Sequence, residues 1–191
     1  AYIVFDEVVA EGFDNPVTLN EFYKRKKNLK DELIKMLLMK VEDFENLLKL
    51  CAKSKRFKNC KLYNYVNIVN PSKDMQFSAI TFELDNGKIV IAYRGTDDTI
   101  AGWKEDFNMG IMKAIPSQIK ALKYLNNTCK FFSDRKIYCV GHSKGGNLAI
   151  YSSIHATERI INRIDGIYNF DGPGFNGNID DNERYHNLLD K

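Results

Sequence analysis

The clearest chemical signal in the chain lies at residues 141–146, which have the sequence G-H-S-K-G-G. They contain the pattern G-x-S-x-G, in which a serine on a sharp turn between a strand and a helix acts as a nucleophile. Such a turn needs small residues two positions before and after the serine, and glycine stands at both. Ser143 is therefore the candidate nucleophile. The turn should place it at a helix N-terminus, where N–H groups stabilise a developing oxyanion.

The segments on either side of this motif have the periodicity that the turn requires. Residues 137–140 form a short, continuous apolar run, which is typical of a buried parallel strand. A helical pattern follows from Gly145 to about Ile161, and residues 167–170 predict another strand. A strand–helix–strand unit implies a parallel sheet. Upstream of it, a further helix is predicted from Ile115, with Pro116 in its first turn.

The middle of the chain predicts an antiparallel meander. Runs of strand-forming residues occupy positions 62–69, 77–82 and 89–93. The Asn86-Gly87 pair between the last two runs predicts a tight hairpin, in which both turn positions need a positive φ. The sequence therefore predicts an α/β fold with a mixed sheet, in which the meander leads into parallel strands.

The first sixty residues predict helices. Thr18 and Glu21 have the spacing of a capping box at a helix N-terminus. A single apolar stripe at helical spacing follows, made by Leu33, Leu37, Val41, Phe44, Leu48 and Cys51. We therefore expect residues 1–60 to form a helical N-terminal extension and residues 61–191 to form a partial α/β domain.

Three motifs, taken in order, resemble the class 3 (fungal-type) lipases, a branch of the α/β-hydrolase fold. They are an R-G-T turn after an apolar strand at 94–96, a W-x-x-D segment at 103–106 and the serine motif. The resemblance covers about residues 77–175. The G-H-S-K-G-G and F-D-G-P-G-F segments also resemble an uncharacterised bacterial lipase-like family. The resemblance implies an α/β-hydrolase core and ester hydrolysis through an acyl-enzyme on Ser143, without a metal or a cofactor.

The same resemblance implies roles for the residues around Ser143. The N–H of Lys144 would be one oxyanion donor, and Thr96, through its N–H or its hydroxyl, the second; the alternative for Thr96 is a cap at the hairpin exit. Asp106 is expected to hold the loop, and Trp103 to belong either to a lid or to the core. Lys144 replaces the leucine that is usual in the lipases, and a charge there argues against an apolar pocket mouth.

The catalytic acid and base are harder to place than the nucleophile. A serine hydrolase needs a histidine, which follows the acid in the chain order of this fold. His142 adjoins the serine and is expected to be a packing residue. His155 is expected about 18 Å from Ser143 along the helix axis, which is too far for it to act as the base.

Asp171 and His186 are in the required order, but Asp171 stands where the lipase family has a turn glycine. In that family the acid and the histidine come later, at positions that would lie beyond Lys191. We therefore expect the chain to be a fragment that lacks its acid and its base. The alternatives are a dyad of Asp171 and His186, or a catalytically degenerate fold that serves as a binding module.

Composition and charge exclude several other classes of protein. The chain is 44% hydrophobic and 28% charged, with a net charge of +3, which excludes a disordered chain. Residues 21–61 carry 13 basic and 6 acidic side chains, as a nucleic-acid or membrane surface would, but their alternation with apolar positions favours a solvated helix face.

The four cysteines lack the spacing of a metal site, and reduced thiols favour the cytoplasm. The expected partner is a small acyl ester, with no nucleic acid and no membrane insertion.

Overall fold

A mixed β-sheet organises the part of the chain that the structure describes, which comprises residues 3–6, 8–26, 41–97, 99–176 and 183–189 of a computed structural model. Within these residues the sheet has six strands, which lie side by side in sequence order. They are β1 (Val17–Thr18), β2 (Lys61–Asn70), β3 (Met75–Glu83), β4 (Ile89–Tyr93), β5 (Ile137–His142) and β6 (Ile164–Phe170).

The described helices precede the sheet or connect its strands. They are α1 (Leu19–Arg25), α2 (Val41–Lys53), α3 (Ile100–Met109), α4 (Pro116–Phe131), α5 (Lys144–Ile154), α6 (Glu158–Ile161) and α7 (Glu183–Leu189). One short 3₁₀ turn, Pro71–Lys73, joins β2 to β3.

The direction of the strands changes at β4. Strands β1 to β4 pair in antiparallel fashion, whereas β4, β5 and β6 pair in parallel. Parallel neighbours need crossover connections, which α3 with α4 and α5 with α6 provide. The predicted α/β fold, with a meander that leads into parallel strands, is therefore confirmed.

The hairpin between β3 and β4 is confirmed, but its predicted turn type is wrong. Leu84 N–H donates to the Lys88 carbonyl at 2.9 Å, which leaves three residues in the loop. Gly87 alone among them has a positive φ, of 77°. A three-residue loop needs only one left-handed residue, and the glycine of the Asn-Gly pair provides it.

Both faces of the sheet are covered by apolar side chains. On one face, Ala121, Leu125 and Leu148 of α4 and α5 pack with strand residues such as Ile91 and Cys139. The other face carries a second buried cluster, formed by Phe5, Phe22, Leu48, Ala52, Leu62, Ile80 and Ala92. Strands covered on both sides must be apolar on both sides, which explains the continuous apolar run in β5.

The N-terminal residues help to cover this second face. Thr18 and Glu21 form the predicted capping box, and Leu48 of the predicted stripe is buried. Leu33 and Leu37 lie outside the described residues. The segment is not helical throughout, because β1 pairs with β2 and so joins the sheet.

The predicted helix from Gly145 to about Ile161 is two helices. α5 ends at Ile154, and Thr157 takes an extended conformation as the residue before α6. Its carbonyl accepts from Ile160 N–H at 2.8 Å, so a new helix starts there instead of continuing α5.

The packing of α4 on the sheet yields a stability prediction. Leu125 is fully buried, whereas Ile119 on the same helix is 54% exposed. We expect Leu125→Ala to lower the free energy of unfolding by about 2–5 kcal/mol and Ile119→Ala to change it by less than about 0.5 kcal/mol. Urea denaturation measures both values. Equal losses in the two variants would contradict the placement of α4.

Candidate active site

Ser143 lies on a tight turn between β5 and α5, as predicted. Its backbone angles, φ 55° and ψ −132°, fall in a region that side-chain-bearing residues adopt only where the surroundings enforce it. Ser143 N–H donates to the Phe170 carbonyl at the end of β6 (2.9 Å), and its own carbonyl accepts from Gly146 N–H (2.8 Å). The turn is therefore held from both sides, with Ser143 at the carboxyl edge of the parallel strands.

The two glycines of the motif allow the backbones around the turn to touch. A Cβ atom on Gly141 would come closer than 3.0 Å to the Gly145 backbone, and one on Gly145 would do the same to the Tyr93 carbonyl. The end of β5, the start of α5 and the end of β4 are thus in direct backbone contact. The predicted need for small residues at both positions is confirmed.

Thr96 leaves the sheet at the same edge as Ser143. Tyr93, at the end of β4, lies opposite Gly141 in the parallel ladder, so the loop after Tyr93 runs beside the turn. The Thr96 hydroxyl donates to Asp106 Oδ1 at 2.7 Å, which confirms the expectation that Asp106 holds this loop. Since the hydroxyl proton is committed to Asp106, the expected oxyanion role of Thr96 would fall to its backbone N–H.

Buried charges fix the rest of this loop. Arg94 is 1% exposed, and its Nη2 donates to Asn67 Oδ1 at 3.0 Å and to Asp97 Oδ2 at 3.2 Å. Asp97 Oδ1 in turn accepts from the Thr99 hydroxyl at 2.6 Å. Thr99 is the N-cap of α3.

The side chain of Lys144 points into the protein, which the sequence analysis did not anticipate. The residue is 1% exposed, and its Nζ donates to Glu105 Oε2 on α3 at 2.9 Å. The expectation that Lys144 puts a charge at a pocket mouth is therefore wrong. The backbone N–H of Lys144 lies in the first turn of α5, where N–H groups have no acceptor within the helix.

The loop after β6 packs on the turn. Asp171 has a φ of 55°, in the left-handed region that favours glycine. Asn147 of α5 donates to the carbonyls of Pro173 (3.1 Å) and Gly174 (3.0 Å). Sequence analysis missed Asn147, although it directly follows the serine motif.

The histidines lie at three different places. His142 is exposed at the end of β5, and His155 follows the last residue of α5, with its ring 4.2 Å from that of Tyr151. His186 is exposed on α7, where Arg184 donates to the Ala156 carbonyl at 3.3 Å. α7 is thus anchored beside the end of α5 that is remote from Ser143, about 16 Å along the helix axis.

Two buried cysteines, Cys129 and Cys139, are unsuited to nucleophilic chemistry. All four cysteines of the chain are free thiols. Burial raises the pKa of Cys139 to about 12 and that of Cys129 to about 11. Both thiols therefore stay protonated near neutral pH, whereas the thiolate is the reactive form.

Trp103 is exposed rather than part of the core. On α3 and the loop that follows it, the exposed apolar residues are Ile100, Trp103, Phe107, Ile111 and Met112. Asn176 ties this segment to the loop after β6, because its Nδ2 donates to the Ile111 carbonyl at 2.7 Å. An apolar patch therefore borders the edge of the sheet that carries Ser143.

Three other features could indicate a function: a second cleft, a metal site or a membrane-spanning helix. A cleft of about 550 Å³ lies at the start of β4, at the opposite edge of the sheet, with Glu83 and Arg135 in its walls. The described residues contain no group of three or more side chains able to hold a metal ion. In the same part of the chain, no helix has the length and apolar character needed to cross a membrane.

The close packing at Gly145 predicts that even one methyl group is destabilising. Alanine in a helix is favoured over glycine by about 1 kcal/mol, whereas crowding a packed site costs about 1–3 kcal/mol. We expect the crowding to outweigh the gain in helix propensity in Gly145→Ala, because the neighbouring atoms belong to the backbone of Tyr93 and cannot move aside easily. Urea denaturation should therefore show a lower free energy of unfolding for this variant. The control is Gly174→Ala, whose Cβ would meet nothing within 4 Å. A Gly145→Ala variant more stable than wild type would contradict the packing.

The environment of Asp106 predicts a pH dependence. Burial raises the pKa of this carboxyl above its ordinary value of 3.8, although the Thr96 hydrogen bond acts in the opposite direction. As the pH rises from 3.8 through the raised pKa, the unfolded chain loses its proton first, so this group makes the folded state progressively less stable. Asp106→Asn keeps an acceptor for Thr96 and removes the titration. Urea denaturation of both proteins should therefore show the variant gaining stability relative to wild type over that pH window; a relative loss would mean a lowered pKa.

Comparison with known proteins identifies the family of the chain. Residues 51–191 match the profile of the Mbeg1-like family. No curated protein and no solved structure gives a significant match. The matched region covers nearly three quarters of the chain and includes β2 to β6 with the loops around Ser143. The chain therefore belongs to the Mbeg1-like family.

Proposed function

We propose that this chain is the nucleophile-bearing part of a serine hydrolase that cleaves carboxylic esters through an acyl-enzyme on Ser143. The observation that carries the proposal is the backbone of Ser143, held at φ 55° and ψ −132° between β5 and α5. Such strain persists only where the surrounding structure enforces it, and it is concentrated at functional sites. The resemblance to class 3 lipases, and with it an α/β-hydrolase fold, is part of the same proposal.

Two backbone N–H groups form the oxyanion hole in this proposal, those of Thr96 and Lys144. Their support is position: one follows β4 and the other opens α5, and both elements meet at the Gly145 contact. Preorganised donors of this kind stabilise the negative charge that develops on a carbonyl oxygen under attack.

The reaction follows from these groups. Ser143 Oγ bonds to the ester carbonyl carbon and gives up its proton to a base, while the carbonyl oxygen becomes the oxyanion. Collapse of this intermediate breaks the carbon–oxygen bond to the alcohol, which leaves with a proton. Water then attacks the acyl-enzyme, which releases the acid and restores the serine.

We propose that the acid and the histidine base lie beyond Lys191 in the full-length protein, as the lipase resemblance implies. Support comes from the positions of His186 and Asp171. α7, which carries His186, is anchored by Arg184 at the remote end of α5. Asp171 serves as a turn residue with a positive φ. The dyad of Asp171 and His186 is the competing assignment.

The exposed apolar residues of α3 favour an ester with an apolar acyl group. Trp103 and Phe107 are 55% and 75% exposed, beside the loop that carries Thr96. Apolar area that is removed from water on binding favours association by roughly 25 cal/mol per Å². Free thiols at all four cysteines support a reducing compartment, and we propose the cytoplasm.

A fluorophosphonate probe tests the proposal directly, because it reacts with activated serines. We expect the full-length protein to be labelled and Ser143→Ala to lose both labelling and hydrolysis of a short-chain p-nitrophenyl ester. The matched control is Ser133→Ala, which removes an exposed hydroxyl and should leave both unchanged. A folded full-length protein that neither reacts with the probe nor hydrolyses the ester would favour the alternative, a degenerate fold that acts as a binding module.

A further inference from the structure

A buried ion pair joins the two halves of the proposed oxyanion hole. Lys144 and Glu105 are 1% and 0% exposed, and their charged atoms lie 2.9 Å apart. Charges are rarely buried so fully, because each ion loses its hydration on burial, and this loss is destabilising unless the partner and further hydrogen bonds compensate for it.

The donors and acceptors of this pair are well matched. The ammonium of Lys144 donates to the Gln76 carbonyl, to Gln76 Oε1 and to Glu105 Oε2, at 2.8, 2.8 and 2.9 Å. All three of its protons therefore have acceptors. The carboxylate of Glu105 accepts from Gln76 N–H and Ser117 N–H, both at 3.0 Å, and from the Ser117 hydroxyl.

These contacts bring four elements to one point. Lys144 opens α5, Glu105 lies on α3, Gln76 lies near the start of β3 and Ser117 lies in the first turn of α4. The Glu105 carboxylate accepts from the N–H of Ser117 in the first turn of α4, where the helix dipole favours negative charge. The pair therefore fixes α3 and α5 against the same rigid support.

Each residue of the ion pair lies next to, or itself carries, a group of the proposed oxyanion hole. Lys144 contributes its own N–H to the oxyanion hole. Glu105 precedes Asp106, which holds the Thr96 hydroxyl at 2.7 Å and thus the loop that presents the second N–H. A shift of α3 relative to α5 would therefore change the separation of the two donors.

We propose that the side chains of Lys144 and Glu105 have a positioning role: their ion pair sets the separation of the Thr96 and Lys144 N–H groups. This inference rests on the proposed function. An apolar side chain at position 144 could fill the same volume, but it would leave Glu105 and the Gln76 carbonyl without their cation. A misplacement of about 1 Å at a catalytic site can lower the rate about 100-fold.

The test compares Lys144→Met with Lys104→Met in the full-length protein. Lys104 is the residue before Glu105, but its side chain is 61% exposed, so the control makes the same substitution in the same region. We expect Lys144→Met, assayed where it is folded, to lower kcat and the rate of fluorophosphonate labelling about 100-fold, with KM changed less than threefold. Lys104→Met should stay within twofold of wild type.

A second variant covers the case in which Lys144→Met does not fold. Glu105→Gln preserves the shape and one acceptor oxygen and removes the charge; we expect a kcat about tenfold lower at unchanged KM. The amide ¹⁵N–¹H resonance of Thr96 should move in this variant and not in Lys104→Met, an effect that simple destabilisation of α5 would not produce.

The possible outcomes separate the two proposals. If wild type reacts with the probe and the folded variants keep kcat within twofold, the positioning role is overturned and the proposed function stands. The same follows if the Thr96 resonance does not respond to Glu105→Gln. If wild type neither reacts nor hydrolyses the ester, the proposed function fails and this inference fails with it.

Discussion

Contact between backbones at the carboxyl edge of the parallel strands decides the shape of the candidate site. Gly141 and Gly145 let the end of β5, the start of α5 and the end of β4 approach more closely than any Cβ would permit. Ser143 lies within this contact with a positive φ of 55°, and two backbone hydrogen bonds hold its turn. The contact also sets the loop after β4 beside the first turn of α5. The proposed nucleophile and both proposed oxyanion donors therefore depend on one packing constraint.

Hydrogen bonds from α3 and α5 hold the loops around this contact in position. Asp106 holds the Thr96 hydroxyl, and Asn147 binds two carbonyls of the loop after β6. A buried polar group without a hydrogen-bond partner would destabilise the fold, and these groups have partners. Apolar packing could hold the same helices against the sheet, but hydrogen bonds are directional and therefore also fix the positions of the loops. We infer that the loops around Ser143 are rigid for this reason.

The sequence predicted the features that depend on local pattern. The parallel strand before Ser143, the capping box at Thr18 and the hairpin before β4 all follow from residue spacing, and the structure confirms them. Lys144 was misinterpreted, because its side chain meets Glu105 across 39 residues of chain and periodicity carries no information on such contacts. Asn147 was missed for the same reason. Its partners at Pro173 and Gly174 are 26 and 27 residues away.

The central claim is that an oxyanion formed at Ser143 is bound by the N–H groups of Thr96 and Lys144. A crystal structure of the full-length protein with a phosphonate bonded to Ser143 Oγ tests it most directly, because the phosphonyl oxygen occupies the position of the oxyanion. We expect this oxygen to lie about 2.7–3.1 Å from both backbone nitrogens. An adduct on Ser143 whose oxygen points to solvent or to other donors, or an adduct on a different residue, would contradict it.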